Sequence, residues 1–476
     1  MSSGRITKEA AKRMAIITSY FAGETYGLLG PQAAATIIEE HTPYECIVIA
    51  ITREDDKALV KKAINDYFGV KRPILGFSYL SGREDLFSFA KELRQEGALT
   101  MLAGPQADVD YSGERGWREH AHRFPGVSEH FNISLHGPAE QAVYLLQNLD
   151  DESWRETPGL LDLRGNNELI RNPKKAWDEA FLRSVQWDNL YMAGTGRLTP
   201  LRIRTGQVLQ QIGCPYAARQ RRVEIDYPAF LAGSDTEVVA VFVKGCSFCD
   251  VAVDKGFFGQ LDIETVMSQI NCLPELEDGS KIPFELINEN PLPGLPHLLK
   301  EAKARGIRLS QVKLIMRADW FIRGQHRLRE ALNMARSMGI RILLASVGFE
   351  SFHDGILRNL NKGLRVEDNL KAIRVMRQLK EEFPLNWAYS RDKGALHGFI
   401  HPTPWDSEET STAMESVIKE WDLSCDILPA KSIPLIIHHA SGLGDWAREV
   451  ETREGGQFTR SGSIIGWWQI GDRFTL

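Results

Sequence analysis

Short apolar runs rich in Ile, Val and Leu alternate with amphipathic stretches along most of this chain. Met14–Thr18 reads as a buried strand, followed by a helix near Pro31–Glu40, a strand at Cys46–Thr52 and a helix at Lys57–Phe68. The pattern repeats with strand Ile74–Tyr79, helix Arg83–Glu96, strands Leu99–Leu102 and Ile133–Leu135, and helix Ala139–Leu149. Near-continuous apolar strands separated by helices of period 3.6 predict a parallel sheet covered on both faces. Ligands of such sheets sit beyond the carboxyl ends of the strands. The loops that matter are therefore Ser78-Tyr-Leu-Ser-Gly82, Gly104-Pro-Gln106 and His136-Gly-Pro-Ala-Glu140. The first two lack the G-x-G-x-x-G spacing of a dinucleotide site.

Residues 151–200 are polar, with Trp154, Trp177 and Trp187 scattered among them, and read as a connector. Leu201–Gln211 turns apolar and extended, and the charged segment Ala217–Ser234 reads as an inserted loop. The alternation then resumes with strand Val238–Val243, helix Ile263–Asn271, strand Phe284–Ile287, helix Pro296–Arg305 and strand Val312–Met316. Helix Leu328–Ser337, strand Ile342–Val347, a helix around Val366–Lys380, a strand near Gly394–Ile400, a helix around Ser407–Glu420 and a strand near Ile433–His438 complete it. About six strand–helix units suit a partial (β/α) barrel. A doubly wound sheet with an added domain gives much the same alternation, so periodicity alone leaves the second half open.

Composition narrows the class. The chain has 476 residues, 43% hydrophobic and 25% charged, enough for two or three globular domains. A net charge of −6 argues against a nucleic-acid partner met through a broad basic surface. No run of 18 apolar residues suggests a membrane span. Met1–Arg13 is polar and lacks the apolar core of a secretory signal, so a cytoplasmic location is expected. Six cysteines in such a chain are read as thiols or metal ligands and not as a disulfide framework.

The chemistry concentrates in Val241-Phe-Val-Lys-Gly-Cys-Ser-Phe-Cys-Asp250, where an apolar segment runs into Gly245, Cys246 and Cys249. Two thiolates three positions apart can grip one soft metal centre, which alone fits zinc, an iron–sulfur cluster or a redox pair. A second phrase upstream, Gly213-Cys214-Pro215-Tyr216, adds a third thiol. Between Cys214 and Cys246 lie 31 residues. Closure entropy tolerates such a loop, since each doubling of length adds only about 0.6 kcal/mol. A zinc site would need a fourth ligand, for which Cys272 or a histidine are candidates; Cys272 falls late in a predicted helix and reads as a buried small residue.

Joined, the two phrases resemble the radical S-adenosylmethionine (SAM) signature Gly-Cys-Pro-x-x-Cys-x-Phe-Cys, stretched between its first and second cysteines. The resemblance implies a 4Fe–4S cluster on Cys214, Cys246 and Cys249, with Phe248 near the adenine of SAM. Further segments match that family: Phe284-Glu-Leu-Ile-Asn-Glu289, whose Glu289 would receive the SAM amino group; Arg317-Ala-Asp319; Val347-Gly-Phe-Glu350-Ser351 with Leu357-Arg-Asn-Leu-Asn-Lys-Gly363; and Gly398-Phe-Ile-His-Pro-Thr-Pro404 with Glu408-Glu409. A carboxylate leaving an apolar strand is costly to bury unless paired or bound, which favours a site role for Glu350. The early loops resemble the cobalamin-binding domain found before many radical SAM barrels, through Gly76-Phe77-Ser78, Ala103-Gly104-Pro105 and His136-Gly137-Pro138-Ala139-Glu140.

The implied organisation is a Rossmann-like (flavodoxin-like) cobalamin-binding domain over 14–150, a connector over 151–200, a partial (β/α)6 TIM-type barrel radical SAM core over 201–430 and a C-terminal extension over 431–476. Implied cobalamin contacts are Ser78, Ser81, Gly104, Pro105, Gln106, His136 and Gly137. No D-x-H-x-x-G motif is present, so no protein imidazole on cobalt is expected. The implied reaction is methylation of an unactivated carbon in a small-molecule or peptide substrate, with an electron from a reductant such as flavodoxin or ferredoxin. Non-methylating rearrangement or cyclisation, and a non-catalytic or zinc-stabilised relative, remain open. His438-His439 read as structural, because neighbours on a strand face opposite ways, and Trp467-Trp468 as core packing.

Overall fold

A computed structural model describes residues 12–78, 82–104, 107–163, 169–231, 237–249, 257–426 and 432–467. The chain divides into two units. The first comprises residues up to Ser112 together with Gly126–Arg204, and the second Gly113–Pro125 together with Thr205 onward.

In the first unit, strands β1 (Lys12–Ser19), β2 (Tyr44–Ile51), β3 (Ile74–Ser78), β4 (Leu99–Leu102) and β5 (Ile133–Leu135) arise from the apolar runs. The 151–200 segment supplies β6 (Leu160–Leu163), β7 (Leu169–Arg171), β8 (Leu190–Met192) and β9 (Thr199–Pro200). They form one nine-stranded sheet in the order β7-β6-β5-β4-β3-β1-β2-β8-β9. The run from β5 to β8 is parallel, and antiparallel pairs close both edges. Central β2 is buried along almost its whole length, as a strand covered on both faces should be. Its neighbour β1 is where the winding reverses, giving the 2-1-3-4-5 order of a doubly wound sheet with its ligand edge at the β1/β3 switch point.

The second unit is built on a parallel sheet of β10 (Gly206–Leu209), β15 (Phe284–Ile287), β16 (Gln311–Arg317), β17 (Arg341–Glu350) and β18 (Trp387–Ala388). Beyond β18, β19 (Gly398–Phe399) continues along β17, and Ile400 bridges in parallel to Ile433. Helices Ile263–Cys272, Leu295–Ala304, Ala318–Met338 and Val366–Glu382 follow the successive strands.

Two expectations need correction. Val238–Val243 is not a strand of this sheet. As β13 (Val238–Lys244) it pairs antiparallel with β12 (Gln220–Asp226) in a separate two-stranded ribbon, so the segment read as a loop is half strand. Only alternate residues of β13 are buried, but its sequence is apolar on both faces and so resembled a core strand. The first strand of the sheet is the short β10, which ends five positions before Cys214. Helix Ala318–Met338 begins ten residues before the expected Leu328. Arg323-Gly324 hid that start, yet a Cβ on Gly324 would come 2.7 Å from Leu292, so the glycine serves packing.

The C-terminal part folds as helix Gly442–Glu454 and a small sheet of β20 (Ile437–His438), β21 (Thr459–Ser461) and β22 (Ile464–Gly466). Residues 113–125 dock on it through Glu114, which is fully buried and accepts hydrogen bonds from Arg460 at 2.8 and 2.9 Å, Arg448 at 3.1 Å and the Phe124 amide at 3.0 Å. His439 packs its ring 5.5 Å from that of Phe124, and burial pulls its pKa down to about 4, so it stays neutral. Trp467 donates to the Leu435 carbonyl at 2.7 Å; Trp468 lies outside the described residues.

Burial works to raise the Glu114 pKa, but Arg460, the Phe124 amide and then Arg448 outweigh it and lower the value to about 2. A depressed carboxylate contributes stability that is present above its unfolded pKa and lost as pH falls through its folded one. Melting temperature should therefore decline as pH drops from about 4.5 toward 2. Glu114→Ala removes the acceptor that two buried guanidiniums share, although Arg460 keeps Glu451 and Arg448 keeps Asp445, and should cost about 1–3 kcal/mol, read as a lowered denaturation midpoint at neutral pH.

Candidate metal and cofactor site

At the carboxyl edge of the second sheet the chain leaves β10 through β11 (Gln211–Gly213) into Cys214. Gly213 and Gly245, each just before a cysteine, sit in the left-handed region with φ of 81° and 71°. An L-residue there would be strained, which explains why each half of the motif carries its own glycine. Between the halves, the ribbon pairs Gln220 with Lys244, so the 31-residue excursion returns beside its own start. A Cβ on Gly245 would lie 3.3 Å from the Cβ of Ala217, three residues after Cys214.

One loop clasps both halves. In Asn359-Leu-Asn-Lys-Gly363, the Asn361 backbone carbonyl accepts from the Tyr216 hydroxyl at 2.9 Å, and the Asn361 side-chain Nδ2 donates to the Gly245 carbonyl at 2.7 Å. The buried Ser247 donates its hydroxyl to the Asn359 carbonyl at 2.7 Å and its amide to the Leu360 carbonyl at 3.0 Å. Asn361 itself takes φ 47°, a conformation asparagine tolerates better than most residues.

The charged residues converge at the same place. Arg317, at the end of β16 and 5% exposed, is no surface ion-pair residue. Its Nε donates to Asp319 at 3.0 Å, its Nη1 lies 3.4 Å from the Cys246 sulfur, and its Nη2 donates to the Lys362 carbonyl. The guanidinium also stands 4.0 Å from the Tyr216 ring centre. Lys362 is buried and donates to Glu350 at 3.0 Å; burial disfavours its charge, but Glu350 and then Cys246 offset this and raise its pKa. Glu350 ends β17 at φ 62°, off the usual backbone regions for an L-residue, a position held by its surroundings. Glycines make room for its carboxylate: a Cβ on Gly348 would come 2.5 Å from Glu350 Oε1 and 3.0 Å from Lys362 Nζ, and one on Gly398 3.2 Å from Oε2.

Glu289, two residues after β15, is reached by solvent yet so closely surrounded that burial raises its pKa, partly countered by Lys362 and Arg317. This is the behaviour of a carboxylate facing a concavity. Burial first, and then Glu289, raise the Cys214 pKa, and Cys246 adds to the effect, so the two cysteines lie within electrostatic reach of each other. Cys249 is held one turn after Cys246, its amide donating to the Cys246 carbonyl at 3.2 Å, with half-buried Phe248 between them. Among the described residues, no three His, Cys, Asp or Glu side chains meet in metal-binding geometry. The donors nevertheless suit a sulfur-ligated centre: no disulfide ties up any of the three thiols, all are half-buried, and two cations stand beside Cys246. Cys272 ends its helix half-buried, less enclosed than its sequence context suggested.

In the first unit, the loops after β3, β4 and β5 carry Ser78, Gly104 and His136-Gly137 at the carboxyl edge; Ser81, Pro105 and Gln106 lie outside the described residues. His136 is 6% exposed, its amide donating to the Gly159 carbonyl at 2.8 Å and its carbonyl accepting from Gln141 at 2.8 Å. Sequence reading passed over Lys362, Tyr216, Asn361 and Ser247. All four lie within quoted motif phrases, but the contacts of Tyr216, Asn361 and Ser247 are to backbone carbonyls, which no spacing reveals.

No family model matches the sequence, and no curated protein matches it. Solved structures do. The structure of OxsB, described as a cobalamin-dependent S-adenosylmethionine radical enzyme, with aqua-cobalamin and S-adenosylmethionine bound, superposes with a TM-score of 0.61 at 11% identity over 96% of this chain. The chain has the fold of a cobalamin-dependent radical SAM enzyme. Structures of OxsB with aqua-cobalamin alone and in the apo, selenomethionine-labelled form each give 0.57 at the same identity. In all three cases the chain spans 64% of the length of that protein.

The tight fit around Glu350 gives a direct test. Gly348→Ala should displace Glu350 or Lys362 and cost about 1–3 kcal/mol, as overpacking does, read as a lower urea midpoint.

Proposed function

We propose that this protein is a radical SAM enzyme that uses cobalamin and methylates an unactivated carbon of a small molecule or peptide. The second unit would act as a partial (β/α)6 barrel core and the first as a Rossmann-like cobalamin domain. The observation that carries the reading is the clasp at residues 359–363, which draws Gly213-Cys214 and Gly245-Cys246 to one edge of the parallel sheet. Cys214, Cys246 and Cys249 would hold a 4Fe–4S cluster, leaving one iron free of protein ligands. When bound, the cluster and SAM would supply a 5′-deoxyadenosyl radical, and the cobalamin a methyl group.

The chain's own residues have distinct work. Arg317 and Lys362 keep positive charge beside Cys246, suiting a site that carries anionic sulfur. Glu289 offers an acceptor for the SAM ammonium, and Glu350 is fixed by Lys362 at the same edge. Phe248 offers an apolar face to adenine. In the first unit, Ser78 ends β3 at the β1/β3 switch point, Gly104 follows the neighbouring β4, and the buried, backbone-tethered His136 suits cobalamin held without an imidazole on cobalt. The electron would come from an external carrier of the flavodoxin or ferredoxin type. Among the described residues no helix is long and apolar enough to cross a membrane.

Anaerobic reconstitution should give brown protein, and Cys214→Ala, Cys246→Ala and Cys249→Ala should each lower iron content at least severalfold. Cys46→Ala and Cys425→Ala should not, since Cys46 is buried in the first sheet and Cys425 is solvent-exposed elsewhere. With substrate, S-adenosylhomocysteine and 5′-deoxyadenosine should accumulate in about equal amounts, and corrinoid should be retained with a base-off spectrum. Deoxyadenosine without homocysteine product would mean rearrangement instead, and colourless protein would overturn the cluster.

A further inference from the structure

In an ordinary cysteine motif of this kind, a few residues of backbone place the first thiol beside the others. Here 31 residues intervene, and side chains must supply what the short tether would have given. Arg317 touches the first half, the second half and the clasp at once. Its guanidinium lies 4.0 Å from the Tyr216 ring, its Nη1 is 3.4 Å from the Cys246 sulfur, and its Nη2 donates to the Lys362 carbonyl. Its Nε is anchored on Asp319 at 3.0 Å. The family resemblance implied a cofactor contact for Arg317; within the protein each of its three nitrogens also has a partner.

We propose that Arg317 is a positioning residue that locks the two halves of the split motif in register and, through its hydrogen bond to the Cys246 sulfur, raises the reduction potential of the cluster. This rests on the cluster reading above. Hydrogen bonds to ligand sulfurs and nearby charge are among the main determinants of cluster potentials, because both stabilise the more negative reduced state. The planar fork matters as well as the charge. A lysine ammonium carries the same charge on a flexible stem but cannot serve Asp319, Lys362 and Cys246 at fixed angles while stacking on Tyr216.

The test is an EPR-monitored redox titration of anaerobically reconstituted full-length protein, with iron content measured on the same samples. Relative to wild type, Arg317→Gln should show at least a tenfold lower ratio of reduced to oxidised cluster at a fixed potential, about 59 mV for a one-electron couple. Arg317→Lys should fall between the two. Asp319→Asn, which keeps the guanidinium but loosens its anchor, should shift the same way by a smaller amount. It also decides the matter if both Arg317 variants fail to hold iron. A midpoint unchanged in Arg317→Gln, or in Asp319→Asn where only that variant keeps its cluster, would overturn the proposal. Wild-type protein that takes up no cluster would instead overturn the reading on which it rests, and iron content tells the two failures apart.

Discussion

The candidate site depends on the hydrogen bonding of a single loop, Asn359 to Gly363, to two pieces of chain that are distant in sequence. Tyr216 and Gly245 are both tied to Asn361, and Ser247 to Asn359 and Leu360. These are mostly backbone groups at buried or half-buried positions, where an unmade hydrogen bond costs about 1–3 kcal/mol. The clasp is therefore held by the penalty for opening it as much as by the bonds themselves. Lys362, the fourth residue of the loop, carries its ammonium from this clasp to Glu350, which links the cysteine region to the end of β17.

The ribbon of β12 and β13 makes the insertion tolerable. Pairing Gln220 with Lys244 closes the excursion as a hairpin, so the loop entropy is met by ladder hydrogen bonds instead of by the site. Its outer end is anchored too: Asp226 accepts from Asn359 at 3.1 Å, and its carbonyl accepts from Trp405 and Trp446 at 2.8 and 3.1 Å. An inserted element can leave a metal motif intact when both its root and its tip are fixed to the scaffold.

Much of this was legible in the sequence. Helix Lys57–Phe68 and strands Leu99–Leu102, Ile133–Leu135 and Phe284–Ile287 fall where apolar periodicity put them, because each buries one coherent face or both. Periodicity failed at Val238–Val243, where apolar residues on both faces gave no sign that one face looks to solvent, as the 62% exposure of Phe242 shows. Leu201–Gln211 reads as extended, but only the four residues of β10 within it join the parallel sheet. Motif pointed to Glu350 and Arg317, and the structure shows both enclosed and paired, with Lys362 and Asp319 respectively. Lys362 and Tyr216 act through contacts between segments more than a hundred residues apart, or through carbonyls that any residue carries, so spacing alone could not single them out.

The central claim is that the clasp brings three cysteines, two of them far apart in the chain from the third, onto one centre. A crystal structure of the anaerobically reconstituted protein tests it most directly. The account predicts the sulfurs of Cys214, Cys246 and Cys249 within about 7 Å of one another, each bonded to iron of the same cluster. A cluster bound with Cys214 turned away, its place taken by another ligand, would contradict it.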